Sequence, residues 1–430
     1  MATTFMNDTD VARRLQRWTA INSLALIAVT YRLWIPQTVF PQVPAFATLC
    51  TAPAWCDCIC LGVLLVGLLF LSMGHKGYCN TCGGPMVFVS LLALFCLDQH
   101  RFQPWAYQLW IFTAVWLCCG IHLRLFWMRW LLVSIYFYSA IGKFDYEFLH
   151  TVGQQMLGAL MMQFGQDPVS IPDWLRLSLV ATFPLAELAV AAGLSWSKSR
   201  RIAGWLAICL HMTLIVILGP LGLNHRLGVL LWNLSFAVQV YLLFVVKQQS
   251  INIDALCEQV IAPKSINRLQ SFLQACCFVM IATVIVLPIT ERFGIWDHWP
   301  SWALYAPHSS RVCVEVSGQS LHRLPADLVA LTNHPRPMPE NEDMPDWVSI
   351  PIDAWSLQTL DTPIYPQARF QLGVARQVAS EVNSDFQVRV TLLGIAGRFD
   401  GLRQREVFEE RLLLERAGAN YWLNSMPRRR

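Results

Sequence analysis

The alternation of apolar and polar stretches divides the chain near residue 295. Before that point nine apolar runs follow one another, at 18–35, 57–73, 85–97, 105–120, 125–141, 175–194, 202–218, 228–246 and 271–289. Most hold roughly 16 to 20 residues, close to what a helix needs to cross the hydrocarbon core of a bilayer. The third is short unless it borrows neighbours such as Asp98. Beyond residue 295 the runs stop, and Pro, Asp, Glu and Arg become common through Arg430. There 311–316 and 386–393 alternate as strands do, and 404–417 has helical spacing with Gly418 placed as its C-cap. Residues 334–345, with four prolines, read as a loop. The expected architecture is an all-α polytopic membrane helical bundle of about nine spans over residues 1–294, followed by a C-terminal soluble α+β domain over 295–430.

Composition narrows the class. A chain of 430 residues that is 55% hydrophobic and 14% charged, with a mean hydropathy of +0.42, is too apolar for an ordinary soluble enzyme. Its net charge of +4 is small and its basic residues are dispersed, which excludes a nucleic-acid partner. Their order along the chain gives an orientation. The N-terminus and every second loop hold twelve basic residues: Arg13, Arg14, Arg17, Lys76, Arg124, Arg129, Lys198, Arg200, Arg201, Lys247, Lys264 and Arg268. The other loops hold five, Arg32, Arg101, Lys143, Arg176 and Arg226. The bias predicts a cytoplasmic N-terminus and, with nine spans, an extracytoplasmic C-terminal domain. Arg32 and Trp34 directly after the first run give no small-residue cleavage pattern, so that run reads as a span and not as a signal peptide. Arg428, Arg429 and Arg430 read as a solvated tail.

The chemistry concentrates around 136–148, Tyr-Phe-Tyr-Ser-Ala-Ile-Gly-Lys-Phe-Asp-Tyr-Glu-Phe. Lys143 ends a long apolar, aromatic run, with Asp145 and Glu147 in reach of its ammonium group. Two readings stay open: a base whose pKa is set by burial and carboxylates, or an anchor that snorkels to the interface. It is one of five lysines and the only one expected on the outer side. Glu187 falls near the middle of the sixth run and His211 near the middle of the seventh. A carboxylate at that depth costs at least about 2.5 kcal/mol, so it must be protonated, paired or wet. His211 and Arg32 are its plausible partners, and interhelical glue is the alternative role for Glu187 and His211, while Asn224, Asn233 and Gln239 read as glue or as satisfying backbone groups. Trp105, Tyr136, Phe137, Tyr138 and Phe144 suit either a quinone headgroup or an interfacial aromatic belt. Among fourteen cysteines, Cys79 and Cys82 have redox or metal-knuckle spacing, but no second such pair completes a metal site and none is expected. Cys50 and Cys56 are spaced for an outer disulfide, and Cys96, Cys118, Cys119, Cys209, Cys276 and Cys277 read as small apolar residues.

Two sets of short motifs carry a family resemblance. The stretch 98–107, Asp-Gln-His-Arg-Phe-Gln-Pro-Trp-Ala-Tyr, followed by 136–148, resembles the membrane core of vitamin K-dependent gamma-carboxylases and their bacterial relatives, the horizontally transferred transmembrane domain. The Pro-Leu-Ala-Glu-Leu of 184–188, the Arg200-Arg201 pair and the Gly-Lys-Phe-Asp of 142–145 are equally similar to the DoxX and MauE membrane proteins. The resemblance implies a bacterial inner-membrane protein using a quinone or hydroquinone. Lys143 would act as base, with His211 and Glu187 beside it, and Asp98, Tyr107, Tyr136, Asp145 and Arg32 would shape the cofactor pocket. The role implied is quinone-linked electron transfer or extracytoplasmic redox maturation, or else hydroquinone-dependent carboxylation. A noncatalytic scaffold whose outer domain recruits an extracytoplasmic protein partner is the third expectation.

Overall fold

A computed structural model describes residues 6–73, 78–246, 268–332, 347–382 and 387–429. Lys76, Lys247, Lys264, the loop 334–345, Phe386, Arg430 and the side chain of Cys79 lie outside them. The described chain is mostly helical with one small sheet. Six helices are long and apolar enough to cross a membrane: α3 (Trp55–Met73), α6 (Ile121–Lys143), α9 (Asp173–Ser195), α10 (Arg200–Leu218), α11 with its π-helical end (Leu227–Val245) and α12 with its 3-10 end (Arg268–Phe293). They mark an integral membrane protein.

Among the described residues, the other three of the nine expected spans are not confirmed. Helix α1 (Asp8–Val29) begins in a charged stretch, with Asp8, Asp10, Arg13, Arg14 and Arg17 in its first turns, and breaks before the short α2 (Tyr31–Trp34). Within α4 (Tyr78–Leu97) the described side chains give a shorter apolar stretch, Thr81–Leu97. Helix α5 (Pro104–Cys118) has 15 residues, about 22 Å at 1.5 Å per residue, short of a core about 30 Å thick.

The chain forms two compact units. The first comprises Met1–Ala28, Val63–Leu91 and Pro104–Pro307. In it α6 packs along α9, α9 along α10, and α10 along α11, while α12 packs on α5 and α6. Between α6 and α9 the chain makes the short helices α7 (Tyr146–His150) and α8 (Val152–Met162). These do not leave the bundle: Phe148, Met156 and Leu157 form one apolar cluster with Val180 of α9 and Ile217 and Leu218 of α10. Gly153 allows that approach, because a Cβ there would lie 2.3 Å from Val180 Cγ1. Asn224 turns the chain after α10 in the left-handed region (φ 51°), a local backbone role.

The second unit comprises Val29–Gly62, Leu92–Gln103 and His308–Arg430. Its sheet, in the order β2-β1-β3-β4, is antiparallel throughout and is built from β1 (Arg311–Ser317), β2 (Trp347–Ile350), β3 (Val388–Leu393) and β4 (Arg405–Phe408). Val312, Val314 and Val316 alternate inward from β1, as period-two patterning requires. The turn α13 (Ala326–Val329), α14 (Ile352–Leu360) and α15 (Ala368–Val382) complete the middle of the domain, and α15 packs on β1 and β3. The helix expected over 404–417 is half strand: residues 405–408 are drawn into pairing with β3, Leu393 opposite Arg405, and only α16 (Arg411–Ala419) is helical. Gly418 is no C-cap. It lies inside α16, where a Cβ would come 2.3 Å from both Arg376 Nη2 and Ser425 Oγ. The cap position falls to Asn420.

The last described residues are not a solvated tail. Asn424 N donates to Ala45 O, and Arg429 N to Cys50 O, each at 2.9 Å. The Arg428 guanidinium donates to Ala52 O, Pro53 O and, at 2.7 Å, to the fully buried carboxylate of Asp57, which Arg101 also faces at 2.5 Å. A buried aspartate needs such partners, and two arginines supply them. Cys50 and Cys56 are both free thiols, so the expected bridge is not formed; Cys50 Sγ instead meets Asn424 Nδ2 at 3.4 Å.

A candidate acid–base site inside the bundle

Lys143 is the last residue of α6, and its side chain does not snorkel to a surface: the residue is 2% exposed. Its Nζ donates to Glu187 Oε1 at 2.8 Å, to Glu187 Oε2 at 2.7 Å and to Ser139 Oγ at 2.6 Å. Three protons on the ammonium group thus meet three acceptors. Glu187 lies fourteen residues, about 21 Å, from the first residue of α9, so the pair sits deep in the packing of α6 on α9. Charges at such a place are tolerated when paired and fully hydrogen-bonded.

Asp145, one of the two carboxylates expected to face Lys143, is spoken for. Phe144 caps α6 and Asp145 is extended, so its Oδ1 turns to cap α7, accepting from Glu147 N, while Oδ2 pairs with Arg292 at 2.6 Å. The partner of Glu187 is accordingly Lys143. Arg32 belongs to the second unit, where it is exposed and reaches the Tyr31 hydroxyl and Thr359 O.

A second hydrogen-bonded chain lies one helical turn or two earlier on α6. Asn233 Nδ2 donates to Val229 O, which turns Asn233 Oδ1 toward His211 Nδ1 at 2.9 Å. That acceptor assigns the imidazole proton to Nδ1, leaving Nε2 to accept from the Tyr136 hydroxyl at 2.6 Å. Phe236 stacks on the His211 ring, with centroids 5.1 Å apart and an interplanar angle of 21°, and Trp232 sits edge-on to Phe236. Tyr136, Ser139 and Lys143 recur at spacings of three and four, which puts them on one face of α6. All of these residues belong to the first unit.

The segment after α12 closes over the end of α6. A Cβ on Gly142 would meet Ala306 Cβ at 3.4 Å and Ala303 Cα at 3.6 Å, so the chain passes close to the backbone beside Lys143. Fully buried Trp302 and half-buried Tyr305 take left-handed conformations there (φ 58° and 57°), a strained choice for bulky residues. Tyr107 belongs to this cover, its ring 5.1 Å from that of Trp302. Burial pushes the Tyr305 hydroxyl pKa up and the His225 imidazole, 5.8 Å from the Tyr305 ring, down.

Asp98 lies in the second unit and has a structural role. Its Oδ1 accepts from His100 N and Val43 N and caps the turn Gln99–Arg101. Gln99 donates from Nε2 to Pro44 O and Asn424 O and accepts from Arg369 Nε at 2.7 Å, and His100 Nε2 donates to Pro363 O at 2.9 Å. The stretch 98–101 is therefore the seam of that domain. Asn233, Ser139 and the cover 302–306 were not singled out as site residues from sequence; the i−4 spacing of Ser139 from Lys143 is the one signal that could have found any of them. Comparison of the chain with protein-family models, with curated proteins and with solved structures gives no match.

Proposed function

We propose that the first unit carries a proton-exchanging site for a lipid-soluble quinone or hydroquinone, built from Lys143, Glu187, Tyr136 and His211. The observation that carries this reading is the buried Lys143–Glu187 pair in a membrane bundle, set on the same helix face as the Tyr136–His211–Asn233 chain. Intramembrane ionisable residues are costly and mark sites of proton or charge handling. The donor set suits a quinone: an ammonium, a phenol and an imidazole, beside the aromatic faces of Phe236 and Trp232. The bound group would supply the two-electron chemistry. The chain supplies the proton places. Glu187 can take a proton from Lys143 with no net change of charge in the pair, and His211 Nε2 can take one from the Tyr136 hydroxyl. Ser139 holds the ammonium group in position, and the cover around Trp302 excludes water. The motif resemblance to the DoxX, MauE and carboxylase-core proteins supports the same reading and, with it, a bacterial inner membrane.

Binding of ubiquinone and menaquinone analogues to the protein in nanodiscs tests the proposal. Saturable quenching of tryptophan fluorescence is expected in wild type, weakened strongly in Lys143→Arg and Tyr136→Phe and unchanged in Lys198→Ala. Lys143→Arg keeps the charge opposite Glu187, so the fold is retained while the titratable amine is lost. The absence of saturable binding, or equal affinity in all four proteins, would reduce the network to helix-to-helix glue and sink the proposal.

A further inference from the structure

Trp422 has the most accessible surface of any large apolar residue among those described, at 103% of its reference value. Phe46 and Met426 are also exposed, and the three line one open pocket of about 340 Å³ together with Arg376 and Tyr421. They bring three exposed apolar side chains to one place on the second unit.

The hydrogen bonds of the C-terminal segment say where this surface lies. Asn424 is tied to Ala45, Arg429 to Cys50, and Arg428 to Ala52, Pro53 and Asp57. Residues 45–54 lead without a break into α3, whose first residues belong to the same unit and include exposed Trp55 and Ile59. Trp422 and Phe46 are thus held close to the point where an apolar helix enters the membrane. Tryptophan prefers that level, with its ring in the acyl boundary and its N–H among headgroups, and exposed Arg429 adds a charge suited to lipid phosphate.

We infer that Phe46, Trp422 and Met426 form a foot by which the second unit is seated in the phospholipid headgroup layer of the same bilayer that α3 crosses. The foot continues the membrane contact that Trp55 begins. It holds whether or not the bundle binds a quinone.

The test places the photo-crosslinking residue p-benzoylphenylalanine at position 422, at position 46, or at position 407 on the exposed edge strand β4, in full-length protein. Each protein is reconstituted in phosphatidylethanolamine and phosphatidylglycerol vesicles and irradiated, and adducts are read by mass. Phospholipid adducts several-fold more abundant at 422 and 46 than at 407 are expected. Equal lipid labelling at all three positions, no lipid adduct at 422, or adducts to protein in its place would each overturn the inference. Position 422 is fully exposed, so an unchanged unfolding temperature is expected and separates loss of contact from loss of fold.

Discussion

The buried charges around Asp57 allow a prediction whose sign is not the obvious one. Asp57 has no exposed surface and is faced by two guanidinium groups, Arg101 at 2.5 Å and Arg428 at 2.7 Å. Deleting one partner of a buried ion pair costs about 3–5 kcal/mol, because it strands the other charge. Asp57→Asn strands two cations side by side, so its cost should fall at the upper end of that range. Arg428→Met leaves a neutral Asp57–Arg101 pair and removes charge-assisted hydrogen bonds to Asp57, Ala52 and Pro53, a loss of about 1.5–3 kcal/mol. The aspartate variant should therefore be the worse by about 2 kcal/mol. Combining the two should recover stability relative to Asp57→Asn alone, since one of the repelling cations is gone. Unfolding temperature in nanodiscs measures the first effect, and limited proteolysis near residues 421–429 reports release of the C-terminal segment. Arg428→Met as damaging as Asp57→Asn, or a double variant with simply additive loss, would refute the reasoning.

Burial pushes the Asp98 carboxyl pKa up to about 6 and the His100 imidazole pKa down to about 4. Stability from neutral His100 is present above 6.5 and lost as pH falls through 4, whereas that from protonated Asp98 is present below 3.8 and lost as pH rises through 6. The two offset each other in wild type, so Asp98→Asn should steepen the loss of stability as pH falls from 6 to 3.8, by up to about 3 kcal/mol; an acid flank no steeper than wild type would count against this assignment. Gly153→Ala drives a methyl into Val180 and toward Phe148 O and should cost about 1–3 kcal/mol in thermal stability. Gly62→Ala, with nothing within 4 Å, is the control and should leave the melting curve in place.

Apolar periodicity in the sequence located the six long helices and the change of composition toward the C-terminal sheet, because burial in lipid demands long uninterrupted runs. The further spans it suggested are not confirmed where a run was apolar but short, as in α5, or began in charge, as in α1. The titratable residues of the bundle could be named from position alone. Their pairing could not, since Asp145, the nearest carboxylate in sequence, turns away at the end of α6 and the true partner Glu187 is 44 residues on. Asp98 and Arg32 shared an expected compartment with Lys143, but each is engaged in the second unit by contacts that no local pattern signals. The strand β4 was hidden for a similar reason: the spacing of 404–417 is compatible with a helix, and only pairing with β3 decides otherwise.

Arg428 and Asp57 are 371 residues apart in sequence. At a synthesis rate of 5–20 residues per second, the aspartate waits roughly 20–75 s for that arginine to be made. During the wait α3 must enter the membrane with a carboxylate near its first turn that has at most Arg101 for company. The second unit, assembled from three separate stretches, can close only after the spans have been threaded. Its maturation is therefore a late, post-insertion event with very long-range contacts, the slow regime of folding. A chain that stalls or is cut before residue 428 would present the membrane's quality-control proteases with an incompletely paired charge at the head of its second long helix.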